Sequence, residues 1–265
     1  MDLGGHMVCF LVSTMNCEDT NQLIENMNIR NNYIVVNQVD SISTTKSKDS
    51  SGLIINSNTI GLSKSRNIAL ENTNDSIVVL SDDDLIYLDD AKNNIENAFN
   101  ENPDYHVIAF VVEGIEKKFK NYPNKPKKIG FLTSMKVSSV QIAIRRSFLT
   151  SNKIRFDEQF GAGSKYFLGE ENILLFDILK KGGKIKFIPE KIADLHIGNS
   201  TWFKGYDAEY LIARGASYER MSGFFSNILI IQFALRKNKL YKEKFSFTDA
   251  LKLMYQGKAQ FRRQV

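Results

Sequence analysis

The chain has 265 residues, 43% of them hydrophobic and 25% charged, with a net charge of +5. That length buries a substantial core as one large domain or two small ones, and this composition excludes a mainly disordered chain, a collagen-like chain and a coiled coil. The longest apolar-rich stretch, Phe224 to Leu235, contains Ser226, Asn227 and Gln232 and is too short to span a bilayer.

In chain order, short apolar runs alternate with helical patterns. Val8 to Val12 is a continuous apolar run ending in Ser13-Thr14, and Tyr33 to Val36 is another, ending in Asn37-Gln38. Leu53 to Ile55, Ile77 to Leu80 and Val107 to Val112 follow. Continuous β-branched runs of this kind read as strands buried on both faces. Between them lie helix candidates at Thr20 to Asn28, Leu62 to Glu71 and Asp90 to Phe99. This is a βαβ rhythm, and it predicts a mostly parallel central sheet flanked by helices.

The basic stretch Glu113 to Lys128, with Pro123 and Pro126, interrupts the rhythm as an exposed loop. Val137 to Ile144 then reads as a strand. Glu170 to Lys181 reads as a helix stopped by Gly182-Gly183, and Ile185 to Ile188 as a strand ended by Pro189. Tyr206 to Leu240 is mostly helical, and Thr248 is the expected cap of a last helix carrying Leu251, Met254 and Tyr255 on one face.

Only two cysteines occur, Cys9 and Cys17, so a disulfide framework is not expected and a reducing, cytoplasmic setting is the default. Residues 1–6, ending Gly4-Gly5-His6 before Met7, read as a vector scar. The charge is uneven. From Arg236 to Val265 there are nine Lys and Arg against Glu243 and Asp249, so the rest of the chain is close to neutral. A basic tail suits an anionic membrane surface or a phosphate-bearing partner, or is simply a solvated basic end.

Four constellations can carry chemistry. Ser81-Asp82-Asp83-Asp84 follows the strand Ile77 to Leu80 directly. Ligands in open α/β sheets bind just outside the carboxyl ends of the strands. Three consecutive carboxylates repel one another unless a cation or hydrogen-bond donors compensate. In an extended segment Asp82 and Asp84 point the same way, and hard oxygen ligands so placed suit Mg²⁺ or Mn²⁺ shared with substrate phosphates.

Gly61-Leu62-Ser63-Lys64-Ser65-Arg66-Asn67 opens a helix, where an anion contact is favoured. Arg66 in the first turns opposes the helix dipole, and a polar ligand partner would account for it. Phe160-Gly161-Ala162-Gly163 and Gly169-Glu170-Glu171-Asn172 precede and open another helix. One of those carboxylates is a candidate general base, although acids at a helix start are also favoured on structural grounds alone. Asp194 to Trp202 contains His196, a candidate metal ligand, and the sole Trp.

Taken in order, these segments resemble the family 2 glycosyltransferases with their GT-A fold, over roughly Val8 to Ser200. The matching features are Thr14-Met15-Asn16 after the first strand, Gly61 to Asn67, the D-x-D pair Asp82 and Asp84, and Gly169-Glu170-Glu171. The resemblance is to bacterial members that build capsular and other surface polysaccharides.

The resemblance implies a Rossmann-like GT-A catalytic domain over 7–205. Its nucleotide-binding half is 7–112 and its acceptor-binding half 129–205, followed by a helical, basic C-terminal extension over 206–265. It implies a nucleotide-sugar donor, usually a UDP-sugar, held through Mn²⁺ or Mg²⁺ by Asp82, Asp84 and His196. Ser13, Thr14, Asn16, Gln38, Ser65, Arg66 and Asp83 are the implied nucleotide contacts. Either Glu170 or Glu171 is the base for an acceptor hydroxyl, with position favouring Glu171, and the implied outcome is inversion. The acceptor is a glycan or lipid-linked glycan, with the enzyme cytoplasmic or peripheral at the inner face of the plasma membrane. The apolar face of the last helix (Phe247, Leu251, Met254, Tyr255) is then a membrane contact or a homodimer contact. Three positions depart from the family's usual pattern: Met15 in place of an aromatic, Asn37-Gln38 in place of acids, and Glu171 in place of Asp. A Gln amide still offers uracil both a donor and an acceptor.

Two other classes compete. A metal-dependent phosphohydrolase uses an Asp cluster after a strand, but the aspartyl-phosphate type places Gly-Thr soon after it, where this chain has Leu85-Ile86. A non-catalytic nucleotide- or carbohydrate-binding protein would not need Glu170-Glu171. Nucleic acid is not an expected partner, because acidic clusters at the cleft oppose phosphate-backbone binding.

Overall fold

The computed structural model describes residues 7–30, 32–40, 43–48, 51–198 and 205–264. Residues 1–6, for which a vector scar is expected, and the segment with Asn199, Ser200, Thr201 and Trp202 lie outside them. The described residues divide into two compact units. The first takes the residues up to Ile60, Lys64–Arg155 and those from Ile178 to Gly198. The second takes Gly61–Ser63, Phe156–Asp177 and those from Gly205 onward.

The first unit holds one ten-stranded sheet. Its strands are β1 (Val8–Met15), β2 (Tyr33–Gln38), β3 (Thr45–Lys48), β4 (Gly52–Ser57), β5 (Ile77–Asp82), β6 (Leu85–Tyr87), β7 (Val107–Gly114), β8 (Lys127–Ile129), β9 (Ile142–Arg145) and β10 (Ile185–Leu195). Its order is β3-β4-β2-β1-β5-β9-β7-β10-β6, with β8 pairing off β10. Strands β1, β2, β4, β5, β7 and β10 run in one direction and the other four run against it. The central strands β1, β2, β5 and β7 are the predicted apolar runs, and their interior residues are almost wholly buried because both faces are covered.

The helices are α1 (Thr20–Asn26), α2 (Leu62–Glu71), α3 (Ala91–Glu101), α4 (Phe131–Ser134), α5 (Arg146–Ser151), α6 (Glu170–Lys180), α7 (Ala208–Ser222), α8 (Ser226–Tyr241) and α9 (Phe247–Arg262). Helix α1 is capped by Asp19, whose side chain accepts from the Asn21 and Gln22 N–H groups. Helix α3 buries Ala91, Ile95, Ala98 and Phe99, an i, i+4, i+7, i+8 stripe.

Several expectations need correction. The strand predicted over Val137 to Ile144 is only Ile142–Arg145, because Ser139–Gln141 forms a 3-10 turn held by the Gln141 side chain on the Ser138 N–H. It runs antiparallel between β5 and β7. Pro189 does not end β10. The strand passes through it to Leu195 with register shifts between Phe187 and Ala193, since proline is tolerated at a bulge. The exposed loop after β7 ends earlier than expected, because Lys127–Ile129 pairs with β10. Thr248 is not the cap of α9. Ser246 is, its side chain accepting from the Asp249 N–H.

In the second unit, α7 and α9 pack at backbone distance. A Cβ added to Gly215 would lie 1.9 Å from the Met254 carbonyl oxygen, and one added to Gly257 would lie 1.9 Å from that of Ile212. Of the apolar face expected on α9, Met254 is fully buried, Phe247 and Leu251 are half-buried and Tyr255 is exposed; the side that packs inward carries Ala250, Met254, Gly257 and Phe261. Arg220 of α7 ties Asp157 at 2.7 Å to Asp177 at 2.8 Å. Among the described residues no helix is long and apolar enough to cross a membrane.

Candidate functional site

The register of three parallel strands gathers the first group of residues. Ser13 of β1 lies beside Asp82 of β5, and on its other side β1 sets Thr14 and Met15 beside Asn37 and Gln38 of β2. Neighbouring strands are about 4.8 Å apart, so these carboxyl-end residues form one polar ledge. Beyond it Asn16 takes φ 51°, a left-handed turn that Asn tolerates, and its N–H bonds the Gln38 carbonyl at 2.9 Å. The Asn37 side chain clamps the same turn, accepting from the Cys17 N–H and donating to the Cys17 carbonyl. Met15 is left exposed at the ledge.

The acidic triplet is not extended. After Asp82 the chain turns at Asp83 and Asp84 into β6, and the Ser81 and Tyr87 hydroxyls tie the two sides of that turn at 2.6 Å. Each carboxylate therefore has its own environment. Asp82 is ion-paired at 2.9 Å with the fully buried Arg66, and Ser139 donates to it at 3.4 Å. The partner that Arg66 requires at the start of α2 is thus supplied from within the protein. Asp83 accepts from the Thr14 hydroxyl at 2.6 Å, and its pKa is raised, by burial first. Asp84 Oδ1 is buried with no hydrogen-bond partner. Burial, then the charges of Asp82 and Asp83, push the Asp84 carboxyl up to about 7.

His196 follows β10, and the antiparallel pairing of β10 with β6 brings its N–H to the Asp84 carbonyl at 2.9 Å. Its Nδ1 contacts Glu116 Oε1 at 2.8 Å, and the other oxygen of Glu116 accepts the Ile197 N–H at 2.7 Å. The hydrogen bond from His196 is the chief cause that holds the Glu116 carboxyl down to about 2. Sequence reasoning missed Glu116. It lies in a basic loop, eighty residues from its partner, with no local pattern to mark it. Ser65 donates to Ser13 at 2.8 Å, so these two predicted contacts hold each other. A separate cavity of about 850 Å³ beside the end of β7, lined by Glu113, Phe119, Tyr122 and Pro189, contains none of the predicted site residues.

The second unit carries the other group. Gly161, Gly163 and Gly169 all have positive φ. The turn at Phe160–Gly163 receives the Ser63 hydroxyl on the Phe160 carbonyl at 2.6 Å and the Leu62 N–H on the Ala162 carbonyl at 2.8 Å. Glu170 is buried against Gly161, whose added Cβ would lie 3.3 Å from the Glu170 side chain. Glu171 is only half-buried. Arg214 of α7 lies within electrostatic reach of Glu171. It stacks on Tyr210, Tyr218 and Phe233 and donates to the Tyr210 hydroxyl at 2.8 Å. Both acids stand in the first turn of α6.

Among the described residues, no three His, Cys, Asp or Glu side chains converge as a metal-holding group. The chemistry of the donor set still fits one hard cation. A buried carboxylate oxygen lacks a partner, two like charges crowd it, and a histidine held by Glu116 stands beside it.

Comparisons with known proteins agree with this fold. Residues 36–166 match the model described as Glycosyl transferase family 2, which spans β2 to the Phe160–Gly163 turn and includes the acidic triplet. No curated protein matches the chain. Residues 1–349 of S. aureus TarS in complex with UDP-GlcNAc share the fold with a TM-score of 0.63 and 14% identity, over 94% of this chain and 81% of that one. The same TarS segment with UDP gives 0.61 at 15% identity, over 94% and 80%. Against S. aureus TarS without that truncation the score is 0.58 at 14% identity, and the match covers 90% of this chain and 46% of that one.

Proposed function

Because the chain belongs to glycosyl transferase family 2, we propose that this glycosyltransferase takes its sugar from a UDP-sugar, inverts the anomeric centre and passes the sugar to a hydroxyl of a glycan or lipid-linked glycan in bacterial surface polysaccharide synthesis. The observation that carries the reading is Asp84, whose buried Oδ1 has no hydrogen-bond partner, in the turn just past the carboxyl end of β5. The TarS structures solved with UDP and UDP-GlcNAc support the choice of uridine.

Asp84, with Asp82 and His196, would hold Mn²⁺ or Mg²⁺, which when bound offsets the negative charge on the departing diphosphate. Thr14, Asn16, Gln38, Ser13 and Ser65 line the nucleoside side, and Arg66 and Asp83 set the shape of that ledge through their own pairings. Glu171 takes the proton of the acceptor hydroxyl as its oxygen bonds to the anomeric carbon and the bond to the UDP oxygen breaks. A single displacement of this kind inverts the centre. Glu170 is buried against the Gly161 turn while Glu171 is half-exposed, which supports Glu171 as the base.

The test is the thermal stability of the protein with UDP, GDP and CMP, each with and without Mn²⁺. A ligand that binds only the native state raises the melting temperature by mass action. The reading expects a shift with UDP that needs Mn²⁺ and is lost in Asp84→Ala. Absence of a shift with every nucleotide would overturn the donor assignment.

A further inference from the structure

Helix α8 is apolar on two sides. It buries Leu229, Ile230, Phe233 and Ala234 within its own unit, as a surface helix should. Its opposite side should be polar. Instead Ile228 is 61% exposed, Leu235 63% and, in the turn before the helix, Phe224 87%, with Phe225 and Ile231 also exposed. Within α8, Ile228, Ile231 and Leu235 follow the spacing i, i+3, i+7, so they share one stripe, and the exposed Phe224 precedes it in the turn. A contiguous exposed patch of this kind marks an interaction surface.

The same stripe continues into cations. Lys239 and Lys242 take the next two places at helical spacing, and Arg236, Lys237 and Lys244 are exposed around them. From Met221 to Lys242 there is no Asp or Glu. The patch is therefore polarised, apolar at its start and basic at its end. That pattern decides between occupants. A second copy packed antiparallel would set Lys239 and Lys242 against the partner's apolar end, and one packed parallel would set lysines on lysines. Either leaves the cations without counter-charge. An anionic lipid surface offers acyl chains to the first part and headgroup charge to the second.

We propose that the exposed face of α8, from Phe224 to Lys242, docks this protein on an anionic phospholipid bilayer. The apolar stripe enters the headgroup boundary and the lysines lie at the phosphate level. This places the contact on α8. It does not depend on the reading of the catalytic residues, because lipid binding is measured without donor or acceptor.

The experiment is co-sedimentation of the full chain with neutral phosphatidylcholine vesicles and with vesicles containing about 30% phosphatidylglycerol, for the wild type, Ile228→Ser/Leu235→Ser and Lys239→Glu/Lys242→Glu. Each surface lysine contributes about fivefold in partitioning, so the expected result is strong recovery on anionic vesicles only and at least a tenfold loss in each double variant. These side chains are exposed, so the melting temperature and its response to UDP stay at wild-type values, which separates lost docking from lost folding or lost donor binding. Equal recovery on neutral and anionic vesicles, or no recovery on either, would overturn the proposal. So would a concentration-dependent dimer in sedimentation velocity that disappears in Ile228→Ser/Leu235→Ser, since the face would then belong to a second copy.

Discussion

Arg66 and Asp82 pair at 2.9 Å with the guanidinium fully buried and the carboxylate side chain 29% exposed. The cation is committed to the interior while its partner opens toward the polar ledge. Replacing Arg66 by Met would leave Asp82 uncompensated beside two further carboxylates. The expected loss is about 3 kcal/mol by urea unfolding, the low end for breaking a buried pair because Asp82 is partly solvated. Arg66→Lys keeps the charge without the planar fork and recovers only part of that loss.

Glu170 and Glu171 are expected to separate cleanly. Glu171→Gln removes the proton acceptor and lowers turnover by at least about a hundredfold with an unchanged melting temperature. Glu170→Gln acts on the buried brace at Gly161 and lowers the melting temperature first. Turnover of UDP-sugar and a melting curve on both variants check this, and near wild-type turnover in Glu171→Gln would remove it as the base.

Glu116 holds His196 by one oxygen and the Ile197 N–H by the other. Glu116→Gln loosens the ring, and Mn²⁺ affinity is expected to fall by roughly ten- to a hundredfold, the range for second partners of a ligating histidine. A Mn²⁺ titration followed by calorimetry reads this directly. The same affinity in wild type and variant would detach His196 from any metal.

The contact of α7 with α9 depends on two glycines. Gly215→Val would drive a side chain into the Met254 carbonyl and costs about 3 kcal/mol, the upper end of ordinary overpacking, because backbone cannot move aside. Gly130→Ala, with nothing within 4 Å of the added Cβ, is the matched control and stays near neutral. Denaturant midpoints of the two variants test the difference.

Glu219 supplies a pH dependence. Burial opposes its charge, yet the hydrogen bonds from Arg262 and Ser226 and the nearby charges of Arg262 and Lys258 hold its carboxyl below the ordinary value. A depressed carboxylate stabilises the folded state above its unfolded pKa, near 4.3, and that contribution is lost as pH falls through the folded pKa. The stability gap between wild type and Glu219→Gln is therefore expected to be about 1–2 kcal/mol at pH 7 and to close on acidification below pH ~4. A gap that widens toward acid would reverse the sign.

Much of the first unit was readable before any coordinates. The runs at Val8, Tyr33, Ile77 and Val107 are β-branched and continuous, and such segments have no stable option but burial in a sheet covered on both faces. Part of the ledge is legible in the same way: Asp82 directly follows a buried strand and so sits at its carboxyl end. Ser13, Thr14 and Gln38 are implied by the family resemblance. The bulge at Pro189 and the short strands β3, β6 and β8 were not readable, since pairing partners and not local pattern define them.

The amino-acid sequence by itself determined the central strands β1, β2, β5 and β7, the order of the motifs and the crowding of Asp82, Asp83 and Asp84, because period, composition and adjacency are local properties. Tertiary structure alone decided that Arg66 answers Asp82, that Glu116 holds His196, and that β9 enters the sheet against its neighbours. It also decided which apolar helix face is covered. Both α8 and α9 carry apolar residues on more than one side, and the close backbone approach at Gly215 and Gly257 turns the side of α9 with Ala250, Met254 and Phe261 inward while Ile228 and Leu235 of α8 stay exposed. Such outcomes depend on which distant surfaces meet, and residue type along the chain does not encode that meeting in any local pattern.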